Sequence, residues 1–359
     1  MKESLKIAGA FIGLIIGAGF ASGQEILQFF TSFGVIGIIG GLLATILFAF
    51  LGMQIAYLGS SMSVTSHKDV VYKICGRYLG VLVDIVTTFF LFGVASVMLA
   101  GSGAVFEQQF GIPSFLGSII MLLLTLGTVL LNLDRIIVLM GLATPFMFGI
   151  VILIAVFALF KNGIDFTHIT SIPAKQAAPN WWMGGLLYVS YNIAAGASML
   201  MAMSGSVHNQ KDAARGGMLG GLGLGILILI IHFTMLTSFN HLSESEMPIL
   251  TIASSISPWF SVLMAVILLV MIYNTSVGML YAFSARIINP DKGRAFKIGT
   301  VLFGLLAYAV SFLGFSSLVG TVYPVMGYLG FILMIAVVIF WFRNRNNANQ
   351  KSEETVLMK

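Results

Sequence analysis

One carboxylate sits inside an apolar run near the start of the chain, Gly13-Leu14-Ile15-Ile16-Gly17-Ala18-Gly19-Phe20-Ala21-Ser22-Gly23-Gln24-Glu25. Each Gly costs a helix about 1 kcal/mol relative to Ala, so Gly17-Ala18-Gly19 marks a weak point. A second run of small and polar residues, Tyr191-Asn192-Ile193-Ala194-Ala195-Gly196-Ala197-Ser198, stands inside a later apolar stretch. Where a membrane helix is interrupted, free backbone N–H groups suit an anionic group and free carbonyls suit a small cation such as Na⁺. The chemistry expected of these residues is therefore binding. The alternative is packing, because Gly9, Gly13 and Gly17 recur every four residues, a spacing that lets membrane helices approach closely.

Glu25 carries the sharpest signal. A charged carboxylate at mid-span costs about 2.5–3.5 kcal/mol on insertion scales and usually marks function. It could bind a substrate amine, carry a proton, pair at an outer gate, or cap a half-helix at its N-terminus. Asp84, Glu107, His232 and the Asp134-Arg135 turn read as structural or solvated. The sequence has no His/Cys cluster for a metal, no Gly-Lys-Ser/Thr phosphate loop and no His-Glu-x-x-His. Nothing in it reads as an enzyme, and no cofactor is expected.

The elements that hold these residues are membrane spans. Of 359 residues, 58% are hydrophobic and 9% charged, against about 25% charged in soluble domains, and the mean hydropathy is +1.01. Apolar runs of about 20 residues, long enough to span a bilayer, recur from end to end. This composition excludes a soluble enzyme, a secreted disulfide scaffold and a nucleic-acid binder, and Cys75 is the only cysteine. Ten all-α spans are expected at 5–31, 35–59, 80–106, 114–132, 136–160, 181–205, 216–239, 258–287, 295–313 and 317–342. The stretch 241–257 is too polar to span and reads as an outer loop with a short helix. With a cytoplasmic N-terminus, 16 of the 18 Lys and Arg fall inside, and only Lys161 and Lys175 fall outside. That asymmetry predicts a multi-pass protein of the cell (inner) membrane with both termini cytoplasmic. The residues 343–359 read as a polar, disordered tail.

Ten spans divide into two halves, 1–160 and 161–342, the second inverted because five is odd. Secondary transporters are often built so, with the first helix of each half interrupted at mid-membrane. The pattern resembles the LeuT-fold transporters of the amino acid–polyamine–organocation superfamily over residues 1–342. The Gly17-Ala18-Gly19-Phe20-Ala21-Ser22-Gly23-Gln24-Glu25 string is similar to that of the YkvI-type bacterial membrane proteins.

The resemblance implies a site. In sodium-coupled members Na⁺ lies between the span 1 break and span 8. The matching positions are the carbonyls of Gly13, Ile16 and Ile272 and the hydroxyls of Thr275 and Ser276. Membrane Thr and Ser also bond their own i−4 carbonyl, which is the simpler explanation for that pair. Some relatives replace this ion with a span 5 lysine, but 136–160 has no ionisable residue, which favours Na⁺. The implied substrate contacts are Ala18, Gly19, Phe20, Tyr191, Asn192 and Ala195, with Ser96 of span 3 and, above the break, Glu25. The expected function is Na⁺-coupled symport of a small neutral or zwitterionic solute, such as an amino acid, by alternating access. Proton coupling through Glu25 is the alternative, and a non-transporting ligand sensor on the same fold ranks below both.

Overall fold

The computed structural model describes residues 2–62, 67–131, 149–158, 160, 174–237, 242 and 245–357. Among them the regular elements are all helical. In chain order they are α1 (Lys2–Ile15), α2 (Ala18–Ser22), α3 (Gln24–Phe29), α4 (Gly37–Met62), α5 (His67–Phe110) and α6 (Ser114–Leu131). A short apolar helix, α7 (Gly149–Ala158), follows. The remainder are α8 (Trp181–Gly205), α9 (Gln210–Thr237), α10 (Pro248–Ile256), α11 (Pro258–Ile287), α12 (Arg294–Ser311) and α13 (Phe315–Leu357). Six helical segments among the described residues are long and apolar enough to cross a membrane, and the bent α8 makes a seventh. Their outward side chains are apolar, with Ile46, Ile85, Leu123 and Phe312 each more than 60% exposed. Such a surface suits hydrocarbon and not water. The chain is an all-α membrane protein.

The first expected span is built from three short helices, α1 to α3. The fourth is α6, and α7 covers part of the fifth, the rest of which lies outside the described residues together with Asp134-Arg135. The polar stretch after α9 carries the short helix α10, begun by Pro248 at its first position.

The structure sharpens two expectations. Span 6 is broken, as expected, but by a bend and not by a long unwound stretch: α8 (Trp181–Gly205) changes direction by 50° between Trp181–Ala197 and Met199–Gly205. Asn192 points its amide at the Tyr188 carbonyl of its own helix at 2.9 Å, and the small run Ala194–Ala197 stays within the helix. The tail is also helical, since α13 runs on to Leu357. After Gly330 the sequence has no Gly or Pro to stop a helix, whereas Gln350, Lys351, Glu353 and Glu354 favour one.

Packing separates two groups. Helices α1, α4, α8 and α9 pack on one another, α5, α6, α11 and α12 form a second group, and α13 lies against both α8 and α5. The first group is tight because α9 presents glycines on two faces. A Cβ at Gly217, Gly221 or Gly225 would stand 2.1–2.4 Å from Gly52 O, Phe48 O or Thr45 Oγ1 of α4, and at Gly216 it would stand 2.7 Å from Ser4 O of α1. A Cβ at Gly9 or Gly17 would instead meet nothing within 4 Å. Gly9 and Gly17 therefore do not serve close helix packing in the way the α9 glycines do. In the second group Arg286 of α11 pairs with Asp84 of α5 at 2.6 Å and reaches Thr88 Oγ1 at 3.3 Å. Asp84 thus makes an ion pair, as a structural or gate contact would.

Candidate functional site

The helix of span 1 stops where its glycines begin. The Gly17 N–H turns to Ile15 O at 3.0 Å, so the Gly13 carbonyl loses its helical partner four residues on. Gly17 itself is extended (φ −100°, ψ −173°), and the helix restarts with Ala21 N–H on Gly17 O at 3.0 Å. Gly23 makes a second turn in the left-handed region (φ 83°), where a side chain would be strained, and α3 begins after it. Ser22 Oγ ties this corner by donating to Gly19 O at 2.8 Å and accepting from Gln24 N–H at 3.2 Å.

Glu25 occupies the first turn of α3 and folds back over the break. Its carboxylate fills the place a side chain on Gly19 would take, 2.1 Å from where that Cβ would stand. Tyr191 Oη of α8 donates to Glu25 Oε2 at 2.5 Å. The Tyr191 ring stacks on Tyr323 of α13, with centroids 4.9 Å apart, and packs against Phe29 and Tyr188. Glu25 is 5% exposed, and besides Tyr191 the buried Tyr188 hydroxyl is set against its carboxylate.

A cavity of about 330 Å³ opens beside this pair. It is lined by Gly13 to Gly19, Glu25, Tyr191, Asn192, Ala195, Asn274, Thr275, Gly278 and Tyr323, with Phe90, Val94, Met98, Met271 and Met279 as apolar wall. Among these lining residues Glu25 is the one carboxylate, and none is Lys, Arg or His.

Of the expected substrate contacts, Ala18, Gly19, Glu25, Tyr191, Asn192 and Ala195 meet at this cavity. Phe20 is buried away from it, and Ser96 spends its hydroxyl on Phe92 O at 3.0 Å. Of the expected ion positions, Gly13, Ile16 and Thr275 line the cavity, while Ile272 and Ser276 are buried without lining it. Thr275 donates to Met271 O at 2.9 Å, the back-bond anticipated from sequence, whereas Ser276 Oγ is buried without a partner. Sequence reasoning passed over Asn274 and Tyr323. Asn274 was findable as an amide in an apolar span; Tyr323 carried no signal, since only the fold brings α13 beside Tyr191.

Polar contacts close the α3 side of the site. Gln24 Nε2 donates to Ser316 Oγ at 2.7 Å and Gln28 Nε2 to Ser316 O at 2.8 Å, joining α3 to the start of α13. The Ala177 N–H reaches Gln28 O at 3.1 Å. Glu246, in the loop before α10, accepts backbone hydrogen bonds from Phe315 and Ser316. Burial, the larger effect, and the charge of Glu107 nevertheless hold its carboxyl above the usual carboxylate range. Glu107 is exposed, as expected. His232 is buried, with Nδ1 2.8 Å from Thr31 Oγ1 and no partner at Nε2, a packing residue half satisfied.

An interrupted first helix beside a bent α8, with α5 and α11 across a central cavity, is the LeuT fold. The chain superposes on the inward-facing conformation of Mhp1 with a TM-score of 0.66 at 13% identity, over 92% of this chain and 75% of that one. On MhsT in complex with L-phenylalanine the TM-score is 0.54 at 14% identity, over 94% of this chain and 98% of that one. In sequence it is similar to the uncharacterized membrane protein YkvI of Bacillus subtilis (strain 168), with 26% identity over 343 residues, 93% of this chain and 94% of YkvI. YyaD of the same organism is also 26% identical, over 342 residues, 94% of this chain and 97% of YyaD. No protein-family model matches the chain. YkvI is described as a membrane protein, and Mhp1 as a nucleobase-cation-symport-1 family transporter.

Proposed function

We propose that the chain is a secondary active transporter, a Na⁺-coupled symporter of a small neutral or zwitterionic organic solute related to amino acids, working by alternating access. In this reading it crosses the cell membrane ten times as two inverted five-helix halves, with both termini cytoplasmic. The observation that carries the reading is the cavity at the interrupted span. One side of it presents the end of α1 with its diverted carbonyls, the other Thr275 of α11, and Glu25, Tyr191 and Asn192 border the same space.

Na⁺ fits the donors available. Gly13 O has lost its helical partner, Thr275 Oγ1 keeps its lone pairs while donating to Met271 O, and Ser276 Oγ is orphaned. Leaving a buried hydroxyl unpaired costs about 1–3 kcal/mol, a cost that ion coordination would offset. Gly13, Ile16, Ile272, Thr275 and Ser276 would hold the ion, and Ala18, Gly19, Glu25, Tyr191, Asn192 and Ala195 the solute. Exposure of the site to either side would follow from rocking α1–α4, α8 and α9 against α5, α6, α11 and α12, the two packed groups of the fold. The amino-acid class is supported by MhsT, whose structure is a complex with L-phenylalanine.

The test is solute uptake into proteoliposomes with an inward NaCl gradient against matched choline chloride, in wild type and in Thr275→Ala with Ser276→Ala. Sodium stimulation that survives both substitutions undiminished would sink the ion site. A second reading, proton coupling, is favoured by Glu25 being the one carboxylate on the cavity wall. It requires uptake driven by a pH gradient without Na⁺ and lost in Glu25→Gln.

A further inference from the structure

Resting on the transporter reading, we infer that the solute is recognised through an ammonium group set against Glu25, and that its body is apolar. The geometry that points there begins with the carboxylate. Oε2 is held by Tyr191 and the Tyr188 hydroxyl is set against the same carboxylate, while the other oxygen, Oε1, turns to the break. It lies over Gly19, where the absence of a side chain leaves room for it on the cavity wall. A carboxylate that is 5% exposed has almost no water to solvate it, and a buried charge is retained at a site where something pairs with it.

The rest of the wall defines what that partner is. No Lys, Arg or His lines the cavity, so a solute anion meets no side-chain countercharge, and close to Glu25 it is repelled. An ammonium supplies three donors: one can go to Oε1, and Asn274, an amide on the wall, offers an acceptor to another. On the side facing these polar groups the wall is Phe90, Val94, Met98, Met271 and Met279, which suits a hydrocarbon body. At about 330 Å³ the space is at the small end for small-molecule pockets, which run from about 300 to 1,000 Å³. It takes an amine or an amino acid and not a peptide. Tyr191 acts on the solute through Glu25, holding the carboxylate in the rotamer that lies over the break.

The experiment is a thermal-shift titration of the purified protein in NaCl with four compounds on one skeleton: 2-phenylethylamine, phenylalanine, 3-phenylpropionate and 2-phenylethanol. A parallel aliphatic set uses isopentylamine, leucine, 4-methylpentanoate and isopentanol. In wild type at least one ammonium-bearing compound should stabilise the protein, with the acid and the alcohol of the same skeleton about tenfold weaker or worse. Glu25→Gln should remove that preference. An acid or alcohol that binds as tightly as the amine overturns the inference, as does the absence of a shift with every ammonium compound. Neither outcome needs the variant, so the test stands even if Glu25→Gln does not fold. Where it does fold, unchanged amine affinity overturns the inference too. Uptake of the same compounds separates the two readings. An amine that binds through Glu25 but does not accumulate refutes transport and leaves the recognition intact. A deaminated acid that accumulates down a Na⁺ gradient does the reverse.

Discussion

Gly17 and Gly19 are two residues apart in the same break, and the structure assigns them different consequences when each is replaced by Ala. At Gly17 a Cβ meets nothing within 4 Å and φ is −100°, so Ala fits. By limiting the unfolded chain it should be neutral or stabilise by up to about 1 kcal/mol. At Gly19 the Cβ would stand 2.1 Å from Glu25 Oε1 and 3.0 Å from the carboxyl carbon. To reach van der Waals distance the carboxylate must retreat by about 1 Å or more. A free side-chain end would do so cheaply, but this one is tethered by Tyr191 at 2.5 Å. Losing a hydrogen bond to a charged group costs about 1.5–3 kcal/mol, and the gain in helix propensity on going from Gly to Ala returns up to about 1 kcal/mol. The two substitutions should therefore differ by about 1–3 kcal/mol, or roughly 1–4 °C in melting temperature for a chain of this size. Tryptophan-fluorescence melts of the purified variants measure this directly. In a Glu25→Ala background the penalty of Gly19→Ala should disappear, a coupling of about 1–2 kcal/mol in the double-mutant cycle. If Gly17→Ala and Gly19→Ala shift the melt equally, or if Gly19→Ala costs the same without Glu25, the carboxylate does not lie over the break.

Two further predictions concern the rest of the frame. Asp84→Asn and Arg286→Gln should each cost about 1–2 kcal/mol, discounted because the pair is partly exposed, and the double variant should cost clearly less than their sum; additive melting shifts would mean that the 2.6 Å contact contributes nothing to stability. At Glu246 the folded protein keeps its proton above the ordinary carboxylate value of 4.5. As pH rises from 4.5 the unfolded chain loses that proton first, so this residue's contribution to stability falls with rising pH. The melting temperature of wild type minus that of Glu246→Gln should decline with pH above 4.5, and a difference that climbs instead would show that the backbone N–H groups of Ser316 and Phe315 favour the carboxylate more than burial disfavours it.

The sequence carried the membrane class, the interruption at Gly17-Ala18-Gly19 and the short outer helix α10, because each depends on local properties: hydropathy, glycine and a helix-starting proline. It could not decide whether the small run Ala194–Ala197 unwinds or bends. Both outcomes are open to the same residues, and only the fold shows that the change of direction comes between Ala197 and Met199. The partner of Asp84 is 202 residues away on α11, and Tyr323 joins the site only through the packing of α13 on α8. Such contacts leave no periodic trace along the chain. Gly9 and Gly17 look, as a string, like the glycines of α9, yet a Cβ on either meets nothing within 4 Å, whereas Gly216, Gly217 and Gly221 meet backbone at under 3 Å.

That seam between α4 and α9 limits how the molecule can deform. Where side chains interlock, two helices can exchange one set of rotamers for another and so hold two stable registers. Gly217 against Gly52 and Gly221 against Phe48 O leave main chain resting on main chain, with no rotamers to exchange. The pair behaves like a welded joint in a linkage, and displacement must be taken up elsewhere. Compliant places at the cavity are the non-helical corners at Ile16–Gly17 and Gly23, the 50° elbow of α8, and the few hydrogen bonds from Gln24 and Gln28 to Ser316. All of these lie on elements that border the cavity, so its shape can change where the α4–α9 seam cannot.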